Sequence, residues 1–247
     1  MTAVDPEALG ASLRRLKRRS ETAVLEQSLR QLVSACVGLF GYSGCGVMLA
    51  DEHGELHCAV AHDKTSQLLE EAQMSTGQGP CVDTFVRETL IASDDLRADP
   101  RWPEVTDRLR DQQVRAVIGV PLRLSGVTVG SLDVFHDRRH RWGRPERHAL
   151  LRYAEIGGAM LAAAVSAEQS GELAAQLTHA LQHRAPIERG VGYLMARDGI
   201  GQVEAFDRLR TAARRNRRRI GEVAAELLRT GRLPGERRPP AAPGSIF

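Results

Sequence analysis

Residues 116–135 read AVIGVPLRLSGVTVGSLDVF and carry the strongest strand signals in the chain. Two runs rich in β-branched and apolar residues, 116–122 and 128–135, flank the dipeptide Ser125-Gly126. Runs of this composition joined by a short glycine-containing turn predict two neighbouring strands. The centre of the chain is therefore expected to form a sheet.

The residues before and after this pair predict a mixed set of strands and helices. Short apolar runs predict further strands at 45–50, 56–61 and 90–93. Apolar residues at spacings of three and four predict helices at 21–40, 68–73, 81–88, near 104–112 and from Pro145 onwards. Because strands and helices do not alternate strictly, they favour an antiparallel sheet in an α+β fold over a parallel βαβ sheet.

The composition is typical of a folded protein that does not enter a membrane. Of the 247 residues, 42% are hydrophobic and 26% are charged. The chain has no run of about 18 uncharged apolar residues, and its N-terminus lacks the apolar core of a secretory signal. We therefore expect a cytoplasmic protein that binds no structural metal. Its reduced thiols, which fit no zinc-binding spacing, are Cys36, Cys45, Cys58 and Cys81.

Charge is distributed unevenly along the chain. Residues 1–20 form a basic segment, whereas residues 21–167 carry 15 basic and 20 acidic side chains. Residues 168–247 carry 14 basic and 9 acidic side chains. An acidic body with a basic end predicts that a contact with a polyanion lies near the C-terminus.

A long helical pattern begins at Pro145 and continues to about Arg184. Beyond residue 167, apolar residues follow one another at steps of three or four, which is close to a heptad seam. This seam consists of Leu173, Leu177, Leu181, Arg184, Ile187, Val191 and Leu194. Packing on its own sheet explains residues 145–165, but no strand remains to cover the later seam, which predicts a parallel homodimer. Pro186 is expected to kink or break the helix.

The C-terminal part of the chain predicts a compact helical module. Its helices are expected at 187–197, 202–217 and 219–229, with Gly199 as a C-terminal cap of the first. The proline-rich tail that follows is expected to be disordered.

An arginine cluster, RTAARRNRRR at 210–219, is the densest chemical signal. Five of the six residues from 214 to 219 are arginine, and at helical spacing they form a collar around a helix end. A solvated basic face is one interpretation. We favour nucleic-acid binding, because small residues at 212–213 leave room for close approach and like charges gain from neutralisation by a polyanion. An apolar frame would hold the cluster rigid: Phe206, Leu209, Ile220 and Val223.

The C-terminal sequence resembles the ANTAR domain family. The resemblance covers about residues 173–230 and rests on LTHALQHRAPIERGVGYLMAR at 177–197 and EAFDRLRTAARRNRRRIGEVA at 204–224. It implies a three-helix module on a coiled coil. Such modules bind paired RNA hairpins with six-nucleotide loops and prevent an overlapping terminator from forming.

Carried over residue by residue, the resemblance implies a set of RNA-binding positions. They are Gly192, Tyr193, Arg197, Arg210, Ala213, Arg214, Asn216, Arg217 and Arg218. The chain departs from the family at Val191, where lysine is usual, and at Arg217, where asparagine is common. Losing the lysine is expected to remove one phosphate contact.

The N-terminal sequence is similar to GAF domains over about residues 21–165. The motifs are GQGPC at 77–81, DDLRADPRWP at 94–103, AVIGVPL at 116–122 and GSLDVF at 130–135. The resemblance implies an antiparallel sheet with helices on one face and a ligand pocket under loops on the other. The small-molecule ligand and any cofactor stay unassigned, since the fold does not choose among ligands.

Cys81 is a weaker candidate for the ligand pocket. If it begins a helix, the helix dipole would lower its pKa and favour redox sensing or sulfoxide reduction. The alternative is a small buried apolar residue. We assign no catalytic residue and do not expect an enzyme.

These patterns predict an antitermination regulator of the actinobacterial GAF and ANTAR type. A GAF-type redox sensor or reductase that uses Cys81, and a DNA-binding regulator, are the alternatives. The expected parts are a basic segment at 1–20, a GAF-like domain at 21–165, a coiled-coil linker helix at 166–186, an ANTAR domain at 173–230 and the tail at 231–247.

Overall fold

The computed structural model describes residues 26–51, 53–167 and 172–236, with side chains from 164 to 184 left out of the description. The chain divides into an N-terminal unit, residues 1–182, and a C-terminal unit, residues 183–247. The predicted basic segment 1–20 lies outside the described residues. None of the described helices is both long and apolar enough to span a bilayer.

The N-terminal unit contains one antiparallel sheet of five strands in the order β2-β1-β5-β4-β3. The strands are β1 (Gly44–Ala50), β2 (Leu56–Ala61), β3 (Ile91–Ser93), β4 (Ala116–Leu124) and β5 (Val127–His136). The predicted central pair is confirmed. β4 and β5 are joined by Ser125 and Gly126, both with positive φ, as in the type I′ turns that match strand twist.

Helices cover both faces of this sheet. They are α1 (26–40), α2 (Lys64–Thr76), α3 (Pro80–Arg87), α4 (Pro103–Arg108) and α5 (Arg144–Ala167). Alternate residues of β4 point to opposite faces, so Ile118 joins the core with α1 and α5, whereas Val117 joins a second core with α2 and α4. The expectation of helices on one face alone is therefore wrong, which is consistent with the burial of every β4 residue from 116 to 122.

Two glycines allow α5 to approach the sheet closely. A Cβ atom added at Gly158 would lie 2.1 Å from the carbonyl oxygen of Arg123, and one at Gly157 would lie 2.9 Å from Leu122. These glycines weaken the helical pattern of the sequence, but the packing of α5 on β4 requires their lack of a side chain.

The C-terminal unit is built from helices. α6 (Glu172–Asp198) enters it, and α7 (Gln202–Arg215) and α8 (Ile220–Thr230) follow. The prediction that Gly199 caps a helix is confirmed, because its φ is +67° and its N–H donates to Met195. Of the kink or break expected at Pro186, the break is wrong, since α6 continues through this residue. The kink stays a prediction. Burial of the apolar face that follows Pro186 offsets the loss of one backbone donor.

The second half of the predicted dimer seam is covered within the chain itself. Ile187, Val191 and Leu194 are buried in the C-terminal unit, and a Cβ atom at Gly190 would lie 3.2 Å from Ala224 of α8. These residues are therefore unavailable to a partner helix, contrary to the predicted seam. The seam side chains from 173 to 184 lie outside the described side chains.

Candidate functional site

A tight turn between α7 and α8 brings the clustered arginines together. The N–H of Arg217 donates to the carbonyl of Arg214 (3.1 Å), and the N–H of Arg218 donates to the carbonyl of Ala213 (3.0 Å). This pair of bonds is a Schellman motif, and it places Arg217 in the left-handed region with φ of +51°. Backbone hydrogen bonds thus fix the frame from which the arginines project.

Three arginines of this turn present guanidinium groups to solvent. Arg214, Arg215 and Arg217 are exposed, and none of them forms an ion pair within the described residues. Arg214 and Arg215 lie in the last turn of α7, where the carbonyl end of the helix favours cations. The structure adds Arg215 to the predicted site. Its position in the arginine run was the available signal, but the family resemblance did not include it.

Two other predicted arginines are held by acidic neighbours. Arg210 pairs with Asp207 at 2.7 Å, and Arg218 pairs with Glu226 and, at 3.7 Å, with Glu222. The hydrogen bond to Glu226 raises the pKa of Arg218. Ion pairs near the protein surface contribute only about 0–1 kcal/mol, so a phosphate group can compete for these guanidinium groups.

Arg197 was predicted to bind RNA, but all the N–H donors of its guanidinium group are used by residues of the C-terminal unit. Its five N–H groups reach Asp198, Glu236 and the carbonyl of Gly231, at 2.6 to 3.0 Å. These contacts raise the pKa of Arg197 and lower that of Glu236. They also hold residues 231–236 against α6, so the disorder expected from residue 231 does not extend to this part. Residues 237–247 lie outside the described residues.

Two positions of the resemblance lie in the core of the C-terminal unit. Ala213 is fully buried, so its small side chain serves the packing of the turn, and its predicted direct contact with RNA is wrong. Val191 is also buried. The loss of a phosphate contact through the absence of a lysine there stays a prediction.

The remaining predicted positions lie on accessible surface. Gly192 has open space where a side chain would be, and Tyr193 is 37% exposed with its hydroxyl donating to Gly231 at 3.5 Å. The side-chain amide of Asn216 donates to the carbonyl of Ala212 at 2.8 Å, which helps to cap α7. Asn216 therefore stabilises the turn, and it also lies on the surface.

A second site lies in the N-terminal unit, where polar side chains meet beneath α2 and α3. Glu70 of α2, Cys81 of α3 and Asp133 of β5 are buried, and one ligand-type atom of each lies within 4.8 Å of the others. Ser131 donates to Asp133 at 2.7 Å, and its hydroxyl lies 3.0 Å from the sulfur of Cys81. We call these four residues the buried polar cluster.

Several oxygen atoms at this cluster lack hydrogen-bond partners. Within the described residues, Oε1 of Glu70, Oδ1 of Asp133 and Oγ1 of Thr84 are buried and unpaired. A Cβ atom at Gly119 would lie 2.7 Å from the Thr84 oxygen and 2.8 Å from the Asp133 oxygen, so these two atoms converge on one point. Unsatisfied buried oxygens are rare in folded proteins and mark this cluster as a functional candidate.

Cys81 does not have the properties of a reactive thiol. It lies in the first turn of α3 as predicted, but burial and the nearby Asp133 and Glu70 raise its pKa well above the usual value. The expectation that the helix dipole lowers this pKa is wrong, because desolvation dominates at a fully buried site. The thiol is therefore protonated near neutral pH.

Comparisons with known proteins agree with both units. The family model of the GAF domain matches residues 24–160, more than half of the chain, and that of the ANTAR domain matches residues 175–228. The chain belongs to the GAF family. It carries an ANTAR domain after the GAF domain, so it combines a signal-sensing domain with an RNA-binding antitermination domain, as in a regulator. No curated protein matches the chain.

Solved structures resemble the GAF domain. A domain described as part of a two-component sensor histidine kinase protein from Sinorhizobium meliloti 1021 superposes with a TM-score of 0.50 at 18% identity, covering 59% of this chain and 97% of that one. A GAF domain from a phosphoenolpyruvate-protein phosphotransferase of Coxiella burnetii gives 0.49 at 20% identity, covering 62% and 94%. A free methionine-R-sulfoxide reductase from Thermoplasma acidophilum gives 0.47 at 15% identity, covering 57% and 94%. At these identities, the first of these supports the fold alone.

Proposed function

We propose that this protein is a signal-responsive antiterminator that binds paired RNA hairpins through the turn between α7 and α8. The observation that carries the proposal is the group of exposed guanidiniums at Arg214, Arg215 and Arg217, which form no ion pair with the part of the chain that the structure describes and lie within an ANTAR domain. When the protein holds two hairpins, the overlapping terminator does not form. Binding takes place on nascent transcripts in the cytoplasm.

The geometry of the turn suits recognition of unpaired loop nucleotides. Proteins read RNA sequence mainly at single-stranded loops, where a guanidinium stacks on a base or donates to its edge. The Schellman motif fixes the backbone at Arg217, so less conformational entropy is lost when its side chain binds. Arg210 and Arg218 flank the turn and bind phosphate after exchange of their acidic partners.

Two copies of the chain would present two such turns to two hairpins. We infer a homodimer through the heptad positions before Pro186, because the later seam positions are used by the ANTAR domain itself. Binding of one hairpin then raises the effective concentration of the second, which increases affinity without new contacts.

The GAF domain is proposed to supply the signal through its buried polar cluster. A small molecule that pairs with the free oxygens of Glu70 and Asp133 would shift β5, and with it β4 and the closely packed α5. In the sequence, α5 precedes the part of α6 before Pro186, where the dimer contact is proposed. The signal would thus change the spacing of the two RNA-binding turns.

The RNA site is tested by titrating a two-hairpin RNA with the full chain and its variants. Arg214→Ala is expected to weaken binding by ~1–3 kcal/mol if the guanidinium contacts a base. The matched control is Arg229→Ala, which removes the same charge from the far end of α8. Equal losses in both variants would show that only net charge matters and would remove the assignment.

The two alternatives give different outcomes. A DNA-binding regulator would bind duplex DNA at least as tightly as hairpin RNA at the same salt concentration. A redox enzyme would need a thiolate at Cys81, and its burial and raised pKa argue against one. We therefore do not assign catalysis to the GAF domain.

A further inference from the structure

We propose that His136, His140 and Glu146 form a binding site for a zinc-like divalent cation, at the connection between β5 and α5. One ligand atom of each residue lies within 4.8 Å of the other two. This site is separate from the buried polar cluster and does not depend on RNA binding.

The three residues come from different elements that the fold brings to one place. His136 is the last residue of β5, His140 lies in the loop that follows, and Glu146 lies in the first turn of α5. Nε2 of His140 is 2.8 Å from a carboxylate oxygen of Glu146, and the two imidazole ring centres are 4.4 Å apart. A cation at this point would tie the end of the sheet to the start of α5.

His136 provides the observation that points to a ligand. Its side chain is only 5% exposed, yet neither of its ring nitrogens makes a hydrogen bond in the part of the chain that the structure describes. One nitrogen of this ring lies within 4.8 Å of a ligand atom of each of the other two candidate residues. A metal ion would satisfy it.

Neighbouring residues hold this arrangement in place. Trp142 stacks on the His136 ring at 5.7 Å, and its indole N–H donates to the carbonyl of Ser93 at 3.0 Å. The backbone N–H of His140 donates to the carbonyl of Asp94 at 3.2 Å. These contacts fix the position of the His136 ring and of the backbone at His140.

The donor set selects the class of cation. Two imidazoles and one carboxylate, with a fourth position for water, suit zinc, whereas calcium and magnesium prefer oxygen ligands alone. Bond lengths of about 2.1 Å place tetrahedral ligands about 3.4 Å apart. The three ligand atoms lie within 4.8 Å of one another, and the His140 side chain, which is 29% exposed, has room to adjust.

The test is calorimetric titration of the chelator-stripped full chain with Zn²⁺. We expect one equivalent to bind, and His140→Gln and Glu146→Gln each to weaken binding by about tenfold or more, since even outer-shell losses reach 10–100-fold. The matched control is His148→Gln, an exposed position on α5 two residues beyond Glu146. It should bind Zn²⁺ as the unaltered chain does.

A second measurement keeps the test decisive if a variant is destabilised. Zn²⁺ should raise the melting temperature of the unaltered chain and of His148→Gln, but not of Glu146→Gln. The spectrum of the Co²⁺ form should lack a thiolate charge-transfer band. Absence of Zn²⁺ binding, binding that both ligand variants retain, or a thiolate band that assigns the ion to a cysteine would each overturn the proposal.

Discussion

Arg217 combines an unfavourable backbone conformation with an exposed charge. A left-handed conformation costs a non-glycine residue about 1–2 kcal/mol, and glycine or asparagine usually occupies this position of a Schellman motif. Strained residues of this kind often persist at functional sites. The asparagine that is common in the family at this position therefore has a backbone reason, which the sequence alone does not reveal.

Arg217→Gly separates these two roles. We expect the free energy of unfolding of the ANTAR domain to rise by about 0.5–1 kcal/mol while affinity for two-hairpin RNA falls. The measurements are denaturant unfolding and RNA titration. As a control, Arg215→Gly changes a residue with helical geometry and should lower stability by about 1 kcal/mol. Unchanged RNA affinity in Arg217→Gly would show that Arg217 is not part of the site.

Asp133 gives the GAF domain a pH-dependent stability. Burial raises its pKa from 3.8 to about 7, and Glu70 is shifted in the same direction. Between these two pH values, the unfolded chain loses the proton and the folded chain keeps it. Rising pH therefore favours the unfolded state across this window, and the loss is complete above about pH 7.

Asp133→Asn should remove most of this dependence. Relative to the variant, the unaltered chain is expected to lose stability from about pH 4 to 7, by at most about 1.4 kcal/mol per pH unit. Denaturant unfolding at a series of pH values measures the difference. Asp111→Asn, at an exposed loop position, controls for the loss of one charge. Parallel curves for the unaltered chain and Asp133→Asn would contradict a buried protonated carboxyl.

Individual site residues show where the sequence stops being informative. Arg214 and Arg217 were predicted because the arginine run and the family pattern are local. The saturation of Arg197 depends on Glu236, 39 residues away, and the burial of Ala213 depends on how α7 packs. The buried position of Glu70 was missed for the same reason, since nothing in its local sequence distinguishes it from an exposed helix residue.

At the scale of elements, glycine content sets how closely α5 approaches β4. Gly158→Ala would place a methyl group 2.1 Å from a backbone carbonyl, which cannot move away as a side chain can. We expect a loss of about 1–3 kcal/mol in the stability of the GAF domain, measured by denaturant unfolding.

Gly192→Ala is the matched substitution on α6. No atom lies within 4 Å of its added Cβ, so the helix should gain up to about 1 kcal/mol. If both variants changed stability in the same direction, close packing of α5 would not be the determining factor.

Strand and helix positions were largely predictable, because β-branched runs and apolar spacings are local signals. The strand at 56–61 was predicted with its observed bounds, the one at 45–50 differs by one residue at its start, and the one at 128–135 differs by one residue at each end. The break at Pro186 was wrong because local backbone preference was outweighed by burial of the face that α6 presents to α7 and α8. The sequence did not predict helices on both faces of the sheet. A run of apolar residues indicates that a strand is buried, but it does not show whether helices or loops cover each face.

For the whole molecule, the proposed function depends on two copies of the chain, each of which supplies one RNA-binding turn between α7 and α8. The charge distribution of the sequence already placed the basic end after the acidic body, and the ANTAR domain lies within that end. Electrostatic attraction alone would act on any nucleic acid, whereas contacts to loop bases require particular RNA. Competition between nucleic acids of equal charge therefore separates the two.

The most direct measurement is a competition at physiological salt between a two-hairpin RNA with six-nucleotide loops, the same RNA with its loops closed into duplex, and duplex DNA of equal length. We expect the full chain to prefer the open two-hairpin RNA by at least about tenfold over either competitor, because only that RNA offers unpaired bases to two turns. Equal affinity for all three would contradict loop recognition by the arginines between α7 and α8.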